Sequence, residues 1–163
     1  MLHKLAARTH FTEIPDAQNP VLRYAPMALG GSVTLNGRTI RSVPANHVVP
    51  AVGYWLDSGE ASLVFTGDTT SCDALWPVVN GIDNLRYLII ETAFGDRDRA
   101  LALASKHLCP SLLAEELTKL RRDAEIHITH LKPGEIDVIM REVAQLTGKR
   151  NPQMLDTKHI FEF

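Results

Sequence analysis

The sequence predicts a mixed α/β (α+β) domain, with strands first and helices later. Three observations carry that expectation: two hairpin signals between residues 32 and 65, a continuous apolar run at 85–90, and helical periodicity over 134–146. With 163 residues, 45% of them hydrophobic and 22% charged, the chain can build one sizeable core and is too apolar to remain disordered.

The first hairpin pairs 32–35 with 38–43 across Asn36-Gly37, a dipeptide that tolerates the positive φ angles of a type I′ turn. The second joins 52–56 to 61–65 through Asp57-Ser58-Gly59-Glu60, and one sheet should hold both. Residues 85–90, apolar except for Arg86, read as a strand covered on both faces. Ile126-His127-Ile128-Thr129 alternates and predicts another strand, in which His127 points away from Ile128 and is structural. Helices are expected over 98–105, rich in Ala and Leu, and over 110–122, where Leu113, Leu117 and Leu120 recur behind Pro110. In the third, 134–146, Ile136, Ile139, Met140 and Val143 share one face and Gly148 supplies the stop. Residues 160–163 read as a closing strand. The first 30 residues, with prolines at 15, 20 and 26, read as an irregular connecting segment, leaving 31–163 as the folded part.

Composition narrows the partners. A formal net charge of −2 gives no general attraction to nucleic acid, and the clusters Arg97/Arg99 and Lys119/Arg121/Arg122 read as solvated helix surface. Cys72 and Cys109 form neither a metal-spaced pair nor a disulfide framework. No run of about 18 apolar residues is present, and the first five residues lack the apolar core of a secretory signal. The expectation is a soluble chain, cytoplasmic as written, with no membrane partner; a signal peptide in a preceding segment stays open.

Three polar residues interrupt the apolar pattern. His47 lies in Pro44-Ala45-Asn46-His47-Val48-Val49-Pro50, between two prolines and just before a strand. Asp68 follows the strand ending at Phe65, and His130 follows the strand ending at Thr129. Parallel strands would bring Asp68 and His130 to one sheet edge, where open α/β sheets place ligand sites. Taken singly, each has an ordinary structural reading, as a hydrogen-bonded turn histidine or an aspartate bonding its own backbone. Taken together, imidazole nitrogen and carboxylate oxygen are ligands for zinc and similar divalent ions.

The segments NHVVPAVGYWLDSGEASLVFTGDTT, LIIETAF, SKHLCPSLLAEEL and THLKPGE, in this order, resemble the metallo-β-lactamase-fold hydrolases. The resemblance runs from roughly residue 20 to the end and is most like class II 3′,5′-cyclic-nucleotide phosphodiesterases, with ribonuclease Z more distant. It implies an αββα sandwich. It also implies that His47 is a ligand of a first metal, His130 of a second, and Asp68 the carboxylate bridging both. His107 matches a position that approaches the scissile phosphate or leaving group, and Glu91 its orienting partner. Alternatives for these two are a helix-linking cap and a buried ion-pair member.

The His-x-His-x-Asp-His motif that resemblance requires is missing from this sequence, and His3 and His10 lack its spacing. The expectation is therefore the second half of the sandwich plus a connector, binding metal weakly or not at all when alone. Two divalent ions, Zn2+ first and Mn2+ or Fe2+ next, are expected only with a completing segment. Three functions follow: hydrolysis of a cyclic nucleotide (cAMP or cGMP) to a 5′-nucleotide by the complete protein, with little or no turnover by this chain alone; a ribonuclease Z-like or other hydrolase of the same fold; or a non-catalytic binding or oligomerisation module. The expected partners are a small cyclic nucleotide and, for the uncovered half-sheet, a second copy or the missing amino-terminal half.

Overall fold

The computed structural model describes Asp16, Gln18, Asn19, Val21 and residues 25–163, so the expected connecting segment falls largely outside the described residues. From Ser32 onward the chain forms a seven-stranded sheet whose strands lie side by side in sequence order. Strands β1 (Ser32–Leu35), β2 (Arg38–Pro44), β3 (Val52–Asp57) and β4 (Ser62–Phe65) pair antiparallel. To these, β5 (Leu85–Glu91), β6 (Glu125–Thr129) and β7 (Gln153–Met154) add in parallel. Both expected hairpins are present in the one sheet. Asn36 and Gly37 have φ of 50° and 77°, the paired positive angles of a type I′ turn.

Direction is what matters for function. Two antiparallel steps restore a strand's heading, so β2 runs the same way as β4, β5 and β6. The carboxyl ends of all four strands therefore share one edge.

One sheet face is sealed by helices. Val43, Val64, Leu88, Ile90, Ile126 and Ile128 pack with residues of α1 (Leu75–Asn80), α2 (Arg99–Ser105), α3 (Pro110–Leu117) and α4 (Ile136–Thr147) in a single buried cluster. Burying each such Leu, Ile or Val contributes about 1.5–3 kcal/mol. In α4 the expected stripe delivers Ile139 and Val143 to that core, Met140 packs at its margin, and Ile136 stays exposed. Among the described residues no helix is long and apolar enough to cross a membrane.

Four expectations need correction. Helix α1 was not foreseen; it is six residues long and carries Pro77 in its first turn, too short to show a period. The helix expected from residue 98 begins as a 3-10 turn at Asp96–Asp98 before α2. The helix expected over 110–122 stops at Leu117, because the carbonyls beyond it take side-chain donors instead of helical N–H groups: Asn80 Nδ2 donates to Lys119 O, and the Arg150 guanidinium donates to Leu120 O and Arg122 O. Finally, residues 160–163 are not a strand. The edge of β6 is already taken by β7, and Leu155 N continues that pairing to Ile128 O.

The closing segment instead lies over the second sheet face. Phe161 and Phe163 meet the Tyr87 ring at 4.9 and 6.1 Å, beside buried Leu63 and Ile89. His127 faces this side, as alternation predicts, and packs against His159 and Phe161. The cover is partial: Tyr54 and Phe65, which pair in register on this face, are 38% and 37% exposed.

Candidate active site

Every residue singled out by the resemblance lies at the carboxyl edge defined above. His47 follows β2, Asp68 follows β4, Glu91 ends β5, and His130 follows β6. His107 reaches the same edge from the turn after α2. Its ring stacks on His130 at 5.1 Å between centroids and meets the His47 ring edge-on at 4.8 Å. Asp68 Oδ1 is 3.8 Å from His130 Nδ1, and both side chains are about half exposed.

Backbone geometry at this edge is unusual. His130 has φ of 62° and Lys106 of 56°, left-handed values that cost a residue with a Cβ roughly 1–2 kcal/mol each. Gly67, just before Asp68, has φ of 66°, where glycine meets no such penalty. Two strained residues beside the histidines mark where the chain favours position over comfort.

Glu91 is the buried centre of the site, fully enclosed at 0% exposure. Its Oε1 accepts from Thr69 N (3.0 Å) and faces His107 Nδ1 (2.6 Å); its Oε2 accepts from Ala93 N (3.1 Å) and Leu108 N (3.2 Å). Loss of water pushes the Glu91 carboxyl up to about 7, against the backbone donors that pull it down, and the same loss pushes His107 below its ordinary value. Water exclusion makes the pair resist carrying a net charge, while the hydrogen bonds favour a carboxylate that accepts from His107. Nδ1 then donates to Oε1 and Nε2 faces outward.

A second polar network, not visible in the sequence, joins the loops. Asn46 spends all of its polar groups on it: its N–H donates to Thr69 Oγ1, its carbonyl accepts from Thr70 N, its Nδ2 donates to Ser71 O, and its Oδ1 accepts from Lys106 Nζ at 3.0 Å. Lys106 closes the loop from the other side, for its own carbonyl faces His47 Nδ1 at 3.1 Å. A carbonyl only accepts, so Nδ1 carries the proton and His47 Nε2 is left with its lone pair free to accept or ligate at the edge. The partners stand about 60 positions apart in the chain, and no local pattern announces them.

The donor types suit a divalent ion, but their number does not. Among the described residues, no three or more His, Cys, Asp or Glu side chains converge to hold a metal. His3 and His10 lie outside the described residues. The described residues therefore hold no complete metal shell. Nor is the surface a bare basic patch: Arg97, Arg99, Lys119 and Arg122 each pair with a carboxylate, on Glu135, Glu115, Asp73 and Asp83 respectively.

Comparison with known proteins places this edge in a wider setting. No family model matches the chain. A putative ribonuclease Z of Mycobacterium tuberculosis (strain CDC 1551 / Oshkosh) is 40% identical over 73 residues, which are 44% of this chain and 33% of that protein. The match thus spans about a third of that relative's length. Among solved structures, the metallo-β-lactamase-fold protein YhfI of Bacillus subtilis superposes with a TM-score of 0.67 at 20% identity, over 83% of this chain and 54% of that one. Human tRNase Z, short form, superposes with a TM-score of 0.55 at 15% identity, over 76% of this chain and 42% of that one. Strand order, helix-covered face and these superpositions agree: the chain has the metallo-β-lactamase fold.

Proposed function

We propose that this chain is the proton-donating part of a metal-dependent phosphodiester hydrolase. One observation carries the reading: the buried Glu91 carboxylate holds the His107 ring at 2.6 Å, at the sheet edge where His47, Asp68 and His130 meet. A carboxyl pushed up to about 7 keeps an additional proton on the dyad near neutral pH. In that form the Glu91 carboxyl donates to Nδ1, and the neutral His107 ring carries Nε2–H toward the site. As the phosphorus–oxygen bond breaks, the leaving oxygen takes the Nε2 proton, and the dyad is left with one proton fewer. Asn46 and Lys106 hold His47 against the same turn. The described residues do not fit a complete metal site, and in this reading the remaining ligands come from outside them.

For the substrate, the preferred reading is a 3′,5′-cyclic nucleotide, supported by the sequence resemblance and by the ion pairing of Arg97, Arg99 and Arg122. A second reading, ribonuclease Z-like RNA cleavage, is favoured by the 73-residue stretch at 40% identity. The half-covered second face, where Tyr54 and Phe65 are exposed, supports a second copy or the remainder of the protein as partner.

The test uses the longest polypeptide that contains this chain, assayed with bis(p-nitrophenyl) phosphate, cyclic AMP and a precursor tRNA. His107→Ala should slow the alkoxide-releasing substrates by about 100-fold or more and p-nitrophenolate release far less, since a good leaving group needs little protonation. Equal losses on all substrates, or no loss, would remove His107 from the role. Cleavage of the tRNA alone would select the second reading.

A further inference from the structure

His130 also lines a pocket of about 370 Å3, of which Phe94, Leu131, Lys132 and Pro133 have no role in the site described so far. Two loops build it at the carboxyl ends of neighbouring parallel strands: Ala93 and Phe94 after β5, and Leu131, Lys132 and Pro133 after β6. Its wall is mostly apolar. The one cation, Lys132, stands 5.3 Å over the centre of the Phe94 ring and 3.5 Å from Glu135 Oε1, so its charge is already partly balanced. The Phe94 ring in turn meets the His107 ring edge-on at 5.9 Å.

We propose that this pocket is a subsite for a nucleoside base, holding the planar ring that the sugar joins to the reacting phosphate. The inference rests on the reading of His107 as proton donor, which fixes where a substrate oxygen must stand. A group bonded to that oxygen has Phe94 as its next neighbour and the pocket beyond it. A second phosphate does not suit this wall, because its only cation is shared with Glu135. An aromatic base does suit it. The ring stacks on apolar and aromatic side chains, and an ammonium poised over one π face attracts another. Leu131 and Pro133 complete an apolar slot of the kind that holds a small ring.

The test requires no turnover. The full chain, kept metal-free with EDTA, is titrated with adenosine 5′-monophosphate and with ribose 5-phosphate, and binding is followed by amide chemical shifts. Base stacking should make the nucleotide's Kd about tenfold lower than the sugar phosphate's. Phe94→Leu keeps the apolar volume and removes the π face; it should erase that difference and leave ribose 5-phosphate unchanged. Lys132→Ala should weaken the nucleotide by a few-fold. Equal Kd values in the unmodified chain, a difference that survives Phe94→Leu, or no shifts from either compound at about 10 mM would each overturn the subsite. Base-dependent binding without hydrolysis by the longer polypeptide would instead discard the reaction and keep the subsite.

Discussion

His127 carries a measurable cost. It is 4% exposed, and neither ring nitrogen has a hydrogen-bond partner. Each unmade bond at a buried polar atom costs roughly 1–3 kcal/mol. The ring recovers part of that through contacts with His159 at 4.5 Å and Phe161 at 5.0 Å, aromatic pairs worth about 0.5–1.5 kcal/mol each. Leucine has a similar volume and no polar atoms. His127→Leu should therefore stabilise the chain by about 1 kcal/mol at pH 8, read from urea unfolding as a shift in midpoint at constant slope. Dependence on pH sharpens the test. Burial first, then the neighbouring His159, lowers the folded-state pKa of His127, while Glu125 pulls weakly the other way. The unfolded chain then binds the proton more tightly, so stability is full above about 6.5 and falls as the pH drops through that value toward the lower folded one, at no more than about 1.4 kcal/mol per pH unit. The leucine variant lacks this loss, so its advantage must widen below pH 6.5. A variant less stable than the parent by more than about 1 kcal/mol at pH 8, or a gap that stays constant down to pH 5.5, would refute the account.

Other residues give equally direct tests. Each oxygen of Glu91 faces two donors, so Glu91→Gln must turn its amide N–H2 against at least one backbone N–H; a loss of about 2–4 kcal/mol in urea unfolding is expected, and an unchanged midpoint would contradict the hydrogen-bond assignment. At Gly53 a Cβ would stand 2.5 Å from Phe65 O and 2.7 Å from Thr66 O, both backbone atoms that cannot swing aside. Gly53→Ala should lower Tm by roughly 5–15 °C, and a shift within about 2 °C would mean that β3 and β4 tolerate separation. Elemental analysis of the purified chain should find well under two divalent ions per molecule; near two, lost on Asp68→Ala, would mean that His3, His10 or a second copy completes the shell.

Much of the fold could be read from local chemistry, and the misses share a cause. The Asn36-Gly37 turn, the two-sided strand at Leu85–Glu91 and the stripe of α4 follow from φ tolerance and periodicity alone. Where local pattern failed, a distant partner decided. Residues 118–122 have helix-forming composition, yet the Lys119, Leu120 and Arg122 carbonyls and the Arg121 N–H are taken by the Asn80 and Arg150 side chains. The alternating Phe161 and Phe163 would suit a strand, yet the sheet offers them a face and no edge.

The site divides along the same line. Motif order pointed to His47, Asp68, Glu91, His107 and His130, and strand direction explains why residues spread over more than 80 positions share one edge. Asn46 and Lys106 gave no such signal, because an Asn before a histidine and a Lys after a helix are both unremarkable alone. Their significance comes from a turn with φ of 56°, which aims the Lys106 carbonyl at His47 while its side chain reaches back to Asn46. Glycine would adopt that turn without strain. Lysine there accepts the strain and adds a tether to Asn46, so its contribution lies at the loop junction and not in the helix. Lys106→Gly separates the two: it should leave stability unchanged or slightly higher while loosening the His47 ring, seen as a broadened Nδ1–H signal by NMR. A destabilised variant with a sharp His47 signal would show that Lys106 supports only the fold.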